Sequence, residues 1–92
     1  MIDPLFALGT VVATPGALEA MGATGTTPGE LLERHARGDW GELCAEDEDQ
    51  NELGLLGGFR LMSAYRLPDG VTVWVITEAD RSSTTFLLPD EY

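Results

Sequence analysis

The sequence has no lysine, one cysteine and one histidine, and it has no long apolar run. Sixteen Asp and Glu residues stand against five basic residues, so the formal net charge is −11. Nucleic acids and anionic membranes are bound mainly through Lys and Arg. The composition therefore predicts no direct binding to nucleic acid or to membranes. A basic protein surface would be attracted instead, unless the charge serves only solubility.

The apolar segments are too short to cross a bilayer, which takes about 18 to 20 residues. The N-terminal "MIDPLFALG" has an acidic residue where a signal peptide carries positive charge, so we expect a chain that is not exported. Cys44 has no second cysteine to pair with, which favours a reducing compartment. We expect a cytoplasmic protein with a single domain over residues 1–92.

The scarcity of His and Cys also limits catalysis. His35 and Cys44 are nine positions apart with no joining signature, which is poor for zinc and for a nucleophile–base pair. No phosphate-binding glycine motif is present. A carboxylate pair could serve in hydrolysis, but sixteen acids give no basis for choosing one. We therefore expect no metal, no cofactor and no enzymatic activity.

The first two thirds of the chain predict one strand and three helices. "FALGTVVATPG" is typical of a strand that ends at Thr14-Pro15-Gly16, where Thr caps a helix and Pro occupies its first position. The same device recurs at Thr27-Pro28-Gly29-Glu30, and the helix it starts should stop at Gly38. A third helix is predicted from Ala45 to Leu56, held at its end by Leu53, Leu55 and Leu56.

The last third predicts a β-meander. "FRLMSAYR" and "VTVWVITE" flank the turn sequence Leu67-Pro68-Asp69-Gly70, and "TTFLL" forms a third strand. We predict an α+β domain with an antiparallel sheet of three or four strands and two or three short helices packed on one face. The middle strand should be central, with Trp74 in the core, whereas Trp40 lies in a turn and its role stays open.

The acidic stretch "AEDEDQNELG" begins like a calcium-binding loop, with Asp47-x-Asp49-x-Asn51. An EF-hand loop requires Gly at its sixth position and Glu at its twelfth. Those positions hold Glu52 and Gly58, so both requirements fail. What remains is a helix with a negative exposed face, which serves either solubility or the docking of something basic.

The loop "EADRSSTTF" has Asp80 and Arg81 at its predicted tip, followed by four hydroxyl residues. Such residues either set the geometry of a turn or form a recognition loop. Trp is favoured at interface hot spots, so Trp40 is a candidate contact residue, although a large aromatic in a small domain is more often packed inside.

With these segments in view, "RHARGDWGEL", "LMSAYRLPDG" and "VWVITEADRSSTTFLLPDEY" resemble a family of small uncharacterised proteins of bacterial plasmids and integrative conjugative elements. Some of its members are labelled plasmid-related or restriction-related. The resemblance covers nearly the whole chain and brings no catalytic or binding residue. It implies an accessory protein of a mobile element in the bacterial cytoplasm.

Our leading hypothesis is a non-enzymatic acidic protein that binds a basic, nucleic-acid-binding partner, as an inhibitor of a host defence protein of the anti-CRISPR or anti-restriction type. The alternative is a structural accessory subunit or homodimer with its interface at the sheet edge or around Trp74. A third hypothesis, a small hydrolase, requires a preformed polar site. The candidate partner-binding residues are Glu46, Asp47, Glu48, Asp49, Glu52, Trp40, Asp80 and Arg81.

Overall fold

The structure is a computed structural model that describes residues 4–92. It has three helices and a four-stranded sheet, which confirms the predicted α+β class. Along the chain, the elements are β1 (Thr10–Ala13), α1 (Pro15–Ala23), α2 (Pro28–Ala36), α3 (Ala45–Gly57), β2 (Leu61–Arg66), β3 (Thr72–Thr77) and β4 (Ser83–Leu87), with a single 3-10 turn at Pro89–Glu91.

The first two helices begin where the capping chemistry predicts. The Thr14 hydroxyl accepts a hydrogen bond from the Ala17 amide at 3.1 Å, and the Thr27 hydroxyl accepts one from the Glu30 amide at 3.3 Å. In both helices a proline occupies the first turn, where its missing N–H costs nothing. α1 continues through Gly22 and ends at Ala23.

The sheet has the strand order β1-β4-β3-β2. β2, β3 and β4 are antiparallel neighbours, which confirms the meander and the inner position of β3. β1 lies parallel to β4, so the sheet is mixed rather than wholly antiparallel. Three helices and two strands separate β1 from β4 in the chain, and a connection of that length allows either direction.

One face of the sheet packs against α1 and α2. Leu61, Ser63 and Tyr65 share this buried face, as strand alternation predicts. α3 instead lies beside the outer edge of β2, where its Asn51 side chain bonds to the backbone of Met62. The core cluster between sheet and helices comprises Ala17, Met21, Leu31, Tyr65, Leu67, Val73, Val75 and Phe86.

One of the two tryptophans is buried, and it is not the one that was expected in the core. Trp74 is only partly buried, on the sheet face away from α1 and α2, with its ring centroid 5.7 Å from that of Tyr92. Trp40 is the buried one, with 5% of its surface exposed. The expectation that Trp74 is in the core was therefore wrong, because both faces of β3 are apolar and alternation cannot say which face is covered.

Candidate functional site

α3 carries five acidic side chains, all of them exposed. The ion pairs found within residues 4–92 are Arg34–Asp39 and Arg37–Glu33, and neither includes an acid of α3. The charge of this helix is therefore left uncompensated by other side chains of the described structure. The five residues are Glu46, Asp47, Glu48, Asp49 and Glu52.

The acidic stretch is a continuous helix, as predicted, and not a metal-binding loop. Three acids occupy the first turn, where they interact favourably with the positive end of the helix dipole. Gly58 ends the helix in a left-handed conformation with φ of 73°. Over the described range, no group of three His, Cys, Asp or Glu residues is arranged to hold a metal ion.

Two of the three leucines of α3 do not anchor it, whereas Leu55 is half-buried. Leu53 is 55% exposed and Leu56 is 88% exposed, so the predicted anchoring role of these two was wrong. At about 100° per residue, both lie opposite the buried Asn51 and Gly54. The outward surface of the helix, here named the α3 outer face, therefore combines acidic and apolar side chains. It comprises Glu46, Asp49, Glu52, Leu53 and Leu56.

Two small residues attach α3 to β2 in place of the leucines. The Asn51 side-chain amide donates to the Met62 carbonyl at 2.7 Å, and its oxygen accepts from the Met62 amide at 3.0 Å. Gly54 lies so close to the sheet that a Cβ there would be 2.8 Å from Leu61 Cδ2. These contacts fix which side of the helix faces solvent.

Arg81 turns out to hold the end of α3. Its guanidinium donates to the carbonyls of Phe59 at 2.6 Å, Gly54 at 2.9 Å and Glu78 at 3.1 Å. The Gly54 carbonyl belongs to the last turn of α3 and also accepts from the Gly58 and Phe59 amides, so Arg81 ties the end of this helix to the loop between β3 and β4. Arg81 therefore has a structural role within the chain, and its role as a partner-binding residue stays a prediction.

Asp80 remains on the surface of the same loop. Its carboxylate accepts a hydrogen bond from the Ser82 amide at 3.0 Å, an arrangement typical of a turn. Hydrogen bonds from the Ser82 side chain and backbone lower the pKa of the Asp80 carboxyl. The loop geometry explains Asp80 without a ligand.

Trp40 is packed inside and is not available for contact with a partner, so its interpretation as a candidate contact residue was wrong. Its ring stacks on Phe6 with centroids 6.2 Å apart and meets His35 edge-on at 5.7 Å. Its indole N–H is buried with no hydrogen-bond partner in the described part of the chain. Its backbone carbonyl accepts from the Ala64 amide of β2 at 3.1 Å.

The segment after Trp40 closes the outer edge of β2. The Glu42 amide donates to the Ala64 carbonyl at 2.7 Å. Gly41 permits this approach, because a Cβ there would be 2.1 Å from the Ala64 carbonyl oxygen and its φ is +74°. Together with Asn51, this segment satisfies backbone groups that an edge strand would otherwise leave open.

The sequence did not reveal a buried polar chain that crosses the sheet. His35 Nδ1 lies 2.5 Å from Ser63 Oγ, and Nε2 lies 2.9 Å from Thr77 Oγ1. Thr77 Oγ1 lies 2.7 Å from that of Thr84, which donates to the Leu8 carbonyl at 2.7 Å. The four side chains are fully buried. The available signal was that His35 stands four residues after Leu31, on the apolar side of α2.

The direction of every bond in this chain follows from its last member. A carbonyl only accepts, so Thr84 donates to Leu8 and must itself accept from Thr77. Thr77 then accepts from Nε2–H of His35, which leaves Nδ1 to accept from Ser63. Burial lowers the pKa of His35 from its ordinary 6.5 to about 4, so the ring is neutral in this network.

Neither His35 nor Cys44 has the surroundings of a catalytic group. Both ring nitrogens of His35 are occupied inside the core, out of reach of a substrate. Cys44 is exposed just before α3, with its thiol 3.4 Å from an Asp47 carboxylate oxygen. The structure thus brings together the acids of α3, but not the two residues that a nucleophile–base pair would need.

Comparison with protein-family models, with curated proteins and with solved structures found no match to this chain. Within residues 4–92, the helices are all too short or too polar to cross a membrane.

Proposed function

We propose that this protein is a non-enzymatic interaction protein that uses the α3 outer face to bind a basic surface of a nucleic-acid-binding protein. The observation that carries the proposal is the pairing of uncompensated acids with exposed leucines on one helix side. A face that served solubility alone would have no use for Leu56, which is 88% exposed. Charged rims around exposed apolar side chains are typical of protein-binding surfaces.

The charge of the surface indicates the charge of its partner. Opposite charges raise the rate of association and set orientation, whereas desolvated apolar side chains supply much of the affinity. Glu46, Asp49 and Glu52 would supply the first contribution, and Leu53 and Leu56 the second. A partner with Lys or Arg around an apolar patch fits this division.

A groove beside the helix offers room for a partner's side chain. It has a volume of about 380 Å³ and lies between α3 and β2. Leu43, Phe59 and Met62 contribute apolar walls, and Asp47 and Arg60 contribute one charge of each sign. The apolar part of a partner's side chain matches these walls, whereas the groove itself favours neither sign of charge.

The resemblance to proteins of plasmids and integrative conjugative elements suggests the biological setting. Proteins that cut or bind invading DNA present basic surfaces to it, and an acidic protein can occupy such a surface in place of nucleic acid. We therefore propose an accessory protein of a bacterial mobile element that inhibits a host defence protein of the anti-CRISPR or anti-restriction type.

Affinity capture from a bacterial lysate tests this proposal, with captured proteins identified by mass spectrometry. The wild type should retain a basic, nucleic-acid-binding protein at low salt and release it as salt is raised. Charge reversal of the five α3 acids should abolish capture, as should Leu53→Ser combined with Leu56→Ser.

A matched control variant distinguishes the effect of the acids on α3 from the effect of the total net charge. It reverses five exposed acids elsewhere, which make no side-chain hydrogen bond or ion pair within residues 4–92, and so changes the net charge equally. Capture should persist in this variant. Equal loss of capture in both charge variants would reduce the effect to bulk charge and would contradict the proposal. The control residues are Glu19, Glu30, Glu42, Glu78 and Asp90.

The alternative, a structural subunit or homodimer, is favoured by a different observation. The edge of β2 is closed by residues 40–42 and by Asn51, so it offers little to a second chain. β1, at the other edge of the sheet, has no such cover from residues 4–92 and carries exposed valines. Any sheet-edge association therefore involves β1.

A further inference from the structure

We propose that β1 is a dimerisation strand, and that two copies of this chain pair their β1 strands antiparallel across a two-fold axis at Val12. The pairing would join two four-stranded sheets into one. It is independent of the α3 outer face, so either proposal can fail without the other.

The backbone of β1 presents unpaired groups on its outer side. The Thr10 amide donates to the Ser82 carbonyl at 3.0 Å, and the Thr14 amide donates to the Phe86 carbonyl at 2.9 Å. In a parallel ladder alternate residues bond to the same neighbour, so residues 10, 12 and 14 face β4. The backbone groups of Val11 and Ala13 therefore point away from the sheet, and β4 is the one strand beside β1 in the described sheet.

The side chains of β1 lack the devices that block an edge. Val11 is 44% exposed and Val12 is 45% exposed. Natural edge strands are commonly protected by charges, proline, bulges or a covering segment. The strand Thr10–Ala13 contains none of these, and no charged residue occurs anywhere from position 4 to position 18.

The distribution of charge favours a second copy as the occupant. Two molecules of charge −11 repel each other, and the repulsion is smallest where the contact surface carries few acids. Residues 4–18 carry no charge of their own, and Glu91, which accepts a hydrogen bond from the Thr14 hydroxyl, adds one carboxylate at the end of β1. A basic partner would therefore find little opposite charge along this strand.

The length and symmetry of β1 also fit its own copy. With the axis at Val12, Val11 of each chain faces Ala13 of the other, and each such pair exchanges two hydrogen bonds. The two Val12 side chains then face each other on one side of the sheet. The ladder ends at Gly9, which turns with φ of +65° against Ser82, and at Pro15, which has no N–H.

Light scattering and sedimentation should show a particle of twice the chain mass that dissociates on dilution. Because the contact is uncharged and the remaining surfaces repel, added salt should leave the dimer unchanged or strengthen it. In amide hydrogen exchange, Val11 and Ala13 should be protected in the dimer and exposed in the monomer, whereas Val12 should be protected in both. A monomer at every soluble concentration would overturn the proposal.

Charged variants at Val12 test the register. Val12→Glu and Val12→Lys should each be monomeric, because like charges would face each other across the axis. A mixture of the two should form a heterodimer, because the charges are then opposite. A folded mixture that stays monomeric would contradict this register. Circular dichroism establishes that each variant is folded.

Val11→Pro tests the edge itself, since it removes an outward N–H that no described residue accepts. It should give a folded monomer. The matched control is Leu56→Glu, which changes an exposed apolar residue on α3 and should leave the dimer intact. A dimer that survives Val11→Pro, or one that is lost in Leu56→Glu, would assign the interface to another surface.

Discussion

The two edges of the sheet are built in opposite ways. β2 lies under Asn51 and the segment 40–42, which bond to the main chain of Met62 and Ala64. β1 presents Val11 and Ala13 without a neighbour in the described structure. Both strands have apolar side chains, so composition does not distinguish them. The difference is whether another part of the same chain reaches the outer backbone groups.

This comparison also explains where the acidic helix lies. α3 is fixed to the closed edge by Asn51 and Gly54 and is held at its end by Arg81. The closing device therefore determines that the acids and the two exposed leucines face outward. Changes that open the β2 edge should disturb the α3 outer face, and changes at β1 should not.

The largest effect is expected at Gly41. Gly41→Ala would place a Cβ 2.1 Å from the Ala64 carbonyl at a φ of +74°, so the closing segment would have to move. We expect a loss of about 4 kcal/mol in the free energy of unfolding, measured by urea denaturation. Gly29→Ala is the control, since its Cβ would meet nothing within 4 Å. An equal, small loss of stability in both variants would mean that a side chain at position 41 does not prevent the closing segment from packing against Ala64.

Asn51→Ala should open the middle of the same edge. It leaves the amide and carbonyl of Met62 without their partners, at a cost of about 3 kcal/mol in the free energy of unfolding. Gln50→Ala, at the preceding exposed position, should change stability by less than about 0.5 kcal/mol. In hydrogen exchange, the Met62 amide should lose protection in the first variant alone. Retained protection would show that water or another group replaces Asn51.

The buried polar chain around His35 spans the sheet from β2 to β4. Protonation of His35 should therefore lower the stability of the whole sheet and not of one edge alone. The unfolded chain binds a proton near the ordinary pKa of 6.5, whereas folded His35 does so only at about 4. Stability is therefore full above pH 6.5 and falls as the pH drops toward 4. We expect a loss of about 2 kcal/mol between about pH 7.5 and about pH 5.

Urea denaturation at the two pH values measures this loss. His35 is the only histidine, so its NMR titration is unambiguous and should give a neutral ring with the proton on Nε2 at about pH 5. His35→Gln should reduce the pH dependence even if its stability is lower at both values. A ring that titrates near 6.5 in the folded protein would contradict the buried chain.

The smallest effect is expected at the open edge. Val11→Pro removes an N–H with no partner in the described structure, so the monomer should lose less than about 0.5 kcal/mol. Val12→Pro is the contrast, because its N–H faces β4, and it should lose about 3 kcal/mol. Thermal unfolding of dilute samples compares the two. If both variants lost the same free energy of unfolding, the amide of Val11 would have to be hydrogen-bonded like that of Val12, which would contradict an unpaired outer side of β1.

Features that depend on neighbouring residues could be predicted from the sequence. The Thr-Pro-Gly starts at Thr14 and Thr27, the turn at Leu67–Gly70 and the alternation of β2 all follow from local backbone chemistry. The acidic helix was predicted for the same reason. Its five acids are exposed, because nothing in the core could accept their charge.

Features that depend on distant residues could not be predicted. Leu53 and Leu56 have the pattern of an anchor, but Asn51 bonds to Met62 and takes that position instead. In the sequence, Arg81 looks like an exposed residue at the tip of a loop. In the structure, its guanidinium donates a hydrogen bond to the Gly54 carbonyl of α3. The partners of the two deciding bonds, Asn51–Met62 and Arg81–Gly54, lie 11 and 27 positions apart in the chain.

The sequence by itself determined the elements, their order and the sign of the surface, because backbone propensity and ionisation are properties of short segments. The tertiary structure alone decided that β1 runs parallel to β4 and that Trp40 and not Trp74 is buried. It also decided that residues 4–92 close one edge of the sheet and leave the other open. Those outcomes depend on which backbone groups meet in space. A hydrogen bond from Asn51 to Met62, or its absence at Val11, has no counterpart in local sequence.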